Sequence, residues 1–149
     1  MGNSLIEYSH DVANSYRARA IAQIEGMVKA VREIDETIEM LNEWLISRQD
    51  GIGRVCIQWE KNRPVWVKWR LIRGKGKREA FWKYDRIKRP IQSLSVDQRD
   101  SEVIKRVRAI ETLIEDRQRI IRELGELSKF WNAKKPAINE HLSQAKALV

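Results

Sequence analysis

A single cysteine, Cys56, stands in the 149 residues. It excludes an intrachain disulfide and any zinc finger built on paired cysteines, and one thiol fits a reducing compartment. Histidine is nearly as scarce. His10 and His141 lie at opposite ends of the chain, with no metal ligands or paired carboxylates at useful spacing. Cys56 sits in a strand-like stretch and reads as a small inert hydrophobe. The glycines of Arg73-Gly74-Lys75-Gly76-Lys77-Arg78 lack the Walker spacing and its following Ser or Thr. No catalytic residue, metal or cofactor is therefore expected, and the chain reads as a non-enzyme.

Long apolar runs are missing too. None approaches the roughly 18 residues of a membrane span, and the first residues contain no signal-peptide core. Met1-Gly2-Asn3-Ser4-Leu5-Ile6 resembles a myristoylation start, but Ile6 stands where Ser or Thr is required. The expectation is a cytoplasmic protein that does not engage membranes.

What the chain has is charge, and its distribution is uneven. Overall the net is +8. Residues 54–89 hold 13 basic and 3 acidic side chains, a net of +10, whereas residues 1–53 carry −4 and residues 90–149 carry +2. A field concentrated in one segment attracts polyanions, either nucleic acid or an acidic protein surface.

Apolar residues on both sides of that segment recur at helical spacing. Ala20, Ile24, Met27, Val31, Ile34, Ile38, Leu41 and Leu45 advance by alternating steps of four and three, the period of a coiled-coil seam. Asp50-Gly51-Ile52-Gly53 then supplies a glycine stop. A second seam runs Val103, Val107, Ile110, Ile114, Arg117, Ile121, Leu124, Ser128, Trp131. Ser95-Val96-Asp97-Gln98 before it reads as a capping box, and Pro136 is expected to break it. Ile104, Leu113, Ile120 and Leu127 widen this second stripe, so its helix is expected to touch more than one neighbour. Seam residues Ile24, Val31, Ile38, Leu45, Val107, Ile114, Ile121 and Leu124 are candidates for a helix or dimer interface. Arg117, within the seam, either specifies a partner or reaches out to water.

Between the seams the period drops to two. Val55, Ile57 and Trp59 alternate with Cys56 and Gln58; after a polar turn, Glu60–Pro64, Val65, Val67, Trp69 and Leu71 alternate with Trp66, Lys68, Arg70 and Ile72. A second turn over 73–78 leads to a weaker third strand through Ala80, Trp82 and Tyr84. The expected fold is mainly α with a small antiparallel β insertion. A long, coiled-coil-like antiparallel helical hairpin would carry a two- to three-stranded meander between its helices. It is read as one elongated domain: helix 11–50, basic meander 54–87, helix 95–134 and short helix 137–148.

Four of the six tryptophans fall in the basic segment. Trp59, Trp69 and Trp82 share faces with apolar neighbours and read as core. Trp66 shares a face with Lys68 and Arg70, and a plausible pairing adds Arg54, Phe81 and Lys83. Aromatics interleaved with cations suit phosphate pairing plus base stacking; the alternative is a solvated face whose cationic stems cover aromatic surface. The expected nucleic-acid-binding set is Arg54, Arg63, Trp66, Lys68, Arg70, Arg73, Lys75, Lys77, Arg78, Lys83, Arg86, Lys88 and Arg89.

The string Ile57-Gln58-Trp59, the basic second strand, and Ile72-Arg73-Gly74-Lys75-Gly76 with basic and aromatic residues after it resemble the central part of MobI-type auxiliary proteins of conjugative elements. The resemblance covers about a third of the chain, which departs from the pattern at Pro64-Val65-Trp66 and in its long first helix. It implies a role in DNA transfer or processing for a mobile genetic element. The expectation is thus a homodimeric accessory protein that binds nucleic acid, DNA before RNA, with a larger protein machine as a further partner. A competing expectation is an adaptor or inhibitor that docks an acidic or nucleic-acid-binding protein surface. A purely structural coiled-coil subunit is the third.

Overall fold

The computed structural model describes residues 2–49, 53–76 and 78–149, with side chains from Leu5 onward. Its elements are α1 (Gly2–Ser47), β1 (Val55–Glu60), β2 (Arg63–Ile72), β3 (Phe81–Arg86), a short α2 (Pro90–Ser93), a 3-10 turn (Val96–Gln98) and α3 (Ser101–Lys146). The chain is mainly helical, and a three-stranded antiparallel sheet of order β1-β2-β3 lies between the two long helices in sequence, as the change of period predicts. No helix among the described residues is long and apolar enough to cross a membrane.

The chain forms two compact units, Glu33–Asp116 and the combination of Met1–Arg32 with Arg117–Val149. The first holds the sheet and the core. Ile38 and Leu45 of α1, Val55, Ile57 and Trp66 of the sheet, Leu94, and Val103, Val107 and Ile110 of α3 form one buried cluster. Seam residues Ile38, Leu45 and Val107 are thus occupied by contacts within the chain. Beside this core, the Trp44 ring lies under the guanidinium groups of Arg106, 3.8 Å from its centroid, and Arg48, at 4.7 Å. Both are cation–π contacts on one indole.

An edge strand leaves backbone groups unpaired, and here Asn42 of α1 and Gln49, just past its end, take up those of Ile57 and Val55. The Trp69 N–H donates to the Arg54 carbonyl at 2.9 Å. Bonded and non-bonded pairs alternate along an antiparallel ladder, so Val55, Ile57 and Trp59 turn their backbone groups away from β2. Asn42, buried on α1, accepts from Ile57 N–H at 2.7 Å and donates to its carbonyl at 3.3 Å. One heptad along, Gln49 accepts from Val55 N–H at 2.8 Å and donates to its carbonyl at 2.7 Å. The Trp59 indole N–H donates to Glu39. Side-chain amides from α1 and from Gln49, two residues past its end, therefore stand in for a fourth strand and close this edge to other chains.

In the second unit the helical seams remain open. Among its described side chains only Arg117 is buried, while Ile24, Ile121 and Trp131 are all more than a third exposed. A shallow groove lined by Ala20, Gln23, Ile24, Met27, Glu123 and Leu127 runs between the two helical stretches.

Helix ends differ from the sequence expectation in three ways. Pro136 does not stop α3, which continues to Lys146. The prolyl ring removes one intrahelical N–H, and every residue of the neighbouring turns is exposed to solvent, so water can take the orphaned carbonyl. The seam then carries on through Lys135, Ile138, Leu142 and Ala145 in the same four-three steps. Ser95 begins only the 3-10 turn and makes no side-chain cap bond; the oxygen that caps α3 is Oδ1 of Asp100, 2.9 Å from Val103 N. Helix α1 starts at Gly2 rather than Asp11, since nothing between them breaks a helix. Of the glycine stop expected at 50–53, residues 50–52 lie outside the described residues, and Gly53 has a φ of +89°.

Candidate nucleic-acid interface

The register of the meander is set at its first turn. Lys61 and Asn62 both have positive φ, 50° and 65°, the conformation of a two-residue type I′ hairpin turn. It fixes Glu60 opposite Arg63, and with that Trp59 opposite Pro64, Ile57 opposite Trp66 and Val55 opposite Lys68. Pro64 is tolerated because its missing N–H would point toward β3, whose ladder with β2 has ended by then.

Residues directly opposite share a face. Trp66 therefore joins Val55 and Ile57 on the face that packs against α1 and α3, where it is buried. The expected stacking role of Trp66 is overturned. A turn as long as Glu60–Pro64 hides the register, whereas a turn of two residues reveals it. The Trp66 indole N–H finds no acceptor among the described residues. Lys68 and Arg70 follow Trp66 onto this face, beyond the core. Lys68 Nζ donates to the Ser93 carbonyl at 2.9 Å, and Arg70 Nε pairs with Asp85 at 2.6 Å. These two cations, expected to meet phosphates, hold α2 and β3 to the sheet. Lys83, opposite Arg70, and exposed Phe81 complete this side.

On the opposite face Cys56 and Val67 are buried, Trp69 and Tyr84 are half-buried, and Leu71 and Trp82 are exposed. Trp69 and Leu71 of β2 lie beside Tyr84 and Trp82 of β3. Trp69 meets Tyr84 edge-on with centroids 4.9 Å apart, and Trp69 also contacts the Cys56 thiol. Trp82, expected in the core, is 51% exposed. Arg54, Arg63 and Arg86 alternate onto the same side. Arg86 is bonded to Glu60, which holds that carboxyl below the ordinary carboxylate range. The Tyr84 hydroxyl bonds Glu60 as well, which raises the phenol. Burial pushes the Cys56 thiol up, away from the thiolate a nucleophile requires. Among the described residues no set of His, Cys, Asp and Glu side chains gathers as metal ligands would.

Beyond the aromatic row lies the loop from Arg73 to Ala80. Gly74 lets it turn back on itself: a Cβ there would come within 2.0 Å of the Arg78 carbonyl oxygen. Gly76 has a φ of +67°. Arg73, Lys75 and Arg78 are all exposed on this loop, and Lys77 lies outside the described residues. Lys88 and Arg89 are exposed between β3 and α2. The twelve described residues of the expected set thus fall into four groups: one buried indole, three cations on the helix side, three arginines on the opposite side, and the cations of the loop and the β3–α2 connection.

Sequence reasoning missed Trp82 and Tyr84 as aromatics of the opposite face and Asn42 and Gln49 as edge clamps. The Lys61-Asn62 turn was the signal for the first pair. The one-heptad spacing of two amides at the end of a seam was the signal for the second. Comparison of the chain with protein families, with curated proteins and with solved structures finds no match.

Proposed function

We propose that this chain is a non-enzymatic nucleic-acid-binding accessory protein that holds single-stranded DNA on the Trp82 face of its meander. The observation that carries the reading is the exposed Trp82 beside half-buried Tyr84 and Trp69, flanked by arginines and continued by the basic loop. A half-exposed indole on a rigid sheet offers a base a stacking surface at little entropic cost. Arg73, Lys75 and Arg78 supply mobile cations for the phosphates beyond it, and Arg54, just before β1, and Arg63 of β2 do so on the sheet. A flat sheet face stacks unpaired bases better than it reads a duplex groove. The resemblance of the Ile57-Gln58-Trp59 and Ile72–Gly76 strings to MobI-type auxiliary proteins favours DNA transfer or processing in a mobile element as the setting.

Fluorescence anisotropy with labelled single- and double-stranded DNA and RNA, each at two salt concentrations, tests this reading. Single-stranded DNA should bind most tightly, and Trp82→Ala should cost about 1–3 kcal/mol. Equal binding by wild type and Trp82→Ala would remove the stacking surface from the account.

A second reading rests on the other unit. Its open seams and the groove beside Ile24 and Leu127 suit insertion of a helix from a larger protein machine. An adaptor of this kind becomes the better reading if the wild type binds no nucleic acid in the same panel.

A further inference from the structure

The two edges of the sheet are treated differently. Asn42 and Gln49 close the β1 edge, and among the described residues nothing equivalent lies along β3. The Ile87 N–H donates to the Trp66 carbonyl at 3.0 Å, so the alternation of the ladder aims 81, 83 and 85 at β2. The backbone groups of Trp82, Tyr84 and Arg86 are left on the outer edge. None of them meets a backbone partner among the described residues.

We propose that β3 pairs antiparallel with β3 of a second copy of this chain, with Tyr84 opposite Tyr84 on the two-fold axis. An isologous contact must match its own sequence in reverse, and three registers bring outward-facing groups together near the centre of β3. Centring on Lys83 sets Lys83 against its own equivalent. Centring on Asp85 does the same with two carboxylates. Centring on Tyr84 sets Lys83 against the second copy's Asp85 twice and Trp82 against its Arg86 twice. Only this last register meets opposite charges, and only it engages all three outward residues in reciprocally bonded pairs. Lys83 has no ion-pair partner of its own among the described residues, so pairing breaks no existing contact of Lys83. Trp82 and Arg86 lie on the same face, where an indole opposite a guanidinium forms a cation–π contact. The product is one continuous sheet, of ordinary width, whose only remaining edges are the two already closed by Asn42 and Gln49. This inference does not rest on nucleic-acid binding.

The test is sedimentation equilibrium of the full chain and of two charge variants. The wild type should be a dimer at micromolar concentration. Lys83→Asp and Asp85→Lys should each weaken dimerisation by about a hundredfold, because each sets like charges opposite one another twice. Mixing the two variants should restore the dimer, since opposite charges then face each other at all four positions. That recovery cannot come from repairing contacts inside either chain. Tyr84→Cys, oxidised, gives a second readout: it should link two chains by a disulfide, whereas Asp85→Cys should not. A monomeric wild type, a dimer indifferent to both variants, a mixture that stays monomeric, or a Tyr84→Cys variant that does not cross-link would each overturn the proposal. None of these results bears on whether the monomer binds DNA.

Discussion

Asn42 and Ile57 form a closed two-way bond, side-chain amide to backbone amide, at 2.7 and 3.3 Å. Asn42→Ala would strand a donor and an acceptor on a buried strand edge. The expected loss is about 2–4 kcal/mol in urea denaturation. Asn42→Asp keeps the acceptor but loses the donor and brings in a charge, so it should rescue little. Gln49→Ala should behave like Asn42→Ala, since it bonds Val55 in the same manner.

Trp66 illustrates the opposite situation, a large side chain whose polar atom gains nothing. Its indole N–H has no acceptor among the described residues while the ring fills the core. Trp66→Phe should therefore cost less than about 1.5 kcal/mol, and Trp66→Ala about 3–5 kcal/mol. Thermal melts of both variants check this. A large loss in Trp66→Phe would mean that the N–H does find a partner.

The Glu60 carboxyl is held low, first by its hydrogen bond from Arg86 and also by the Tyr84 hydroxyl. A carboxylate whose folded pKa lies below its unfolded value of about 4.3 adds stability above that pH. The contribution fades as the pH falls through the folded value. Unfolding measured between pH 7 and pH 3 should show an acid-side loss that shrinks in Glu60→Gln. An unchanged acid limb would show that other carboxylates govern it.

Much of the architecture was readable from spacing alone. The two seams, the three strands and the order of elements follow from the change between periods of 3.5 and two. Strand faces were not readable with the turn taken as Glu60–Pro64. Lys61-Asn62 lacks the glycine that advertises a type I′ turn, and a one-residue error in register exchanges the two faces. Trp66 and Trp82 changed places for that reason. Pro136 misled in another way: a helix so exposed tolerates one missing bond by hydrating it. The edge clamps depend on contacts between Asn42 and a strand 15 residues away, which periodicity cannot reveal.

If α3 passes through Pro136 only because water satisfies the orphaned carbonyl, Pro136→Ala should strengthen the helix there. Amide exchange from Asn132 to Glu140 should slow, and the gain is bounded by the roughly 3 kcal/mol that separates proline from alanine in a helix interior. Unchanged exchange would indicate that α3 ends before Pro136 in solution.

The central claim is electrostatic and aromatic capture of a single strand by the Trp82 face of the sheet and its loop. Its most direct test is the affinity of the wild type for a labelled single-stranded DNA as a function of salt. With about six phosphates neutralised, log affinity should fall against log salt with a slope of roughly −4. Replacing Arg73, Lys75 and Arg78 with serine should flatten that slope by about two. An unaltered slope in this triple variant, or no binding by the wild type at about 50 mM salt, would contradict the claim.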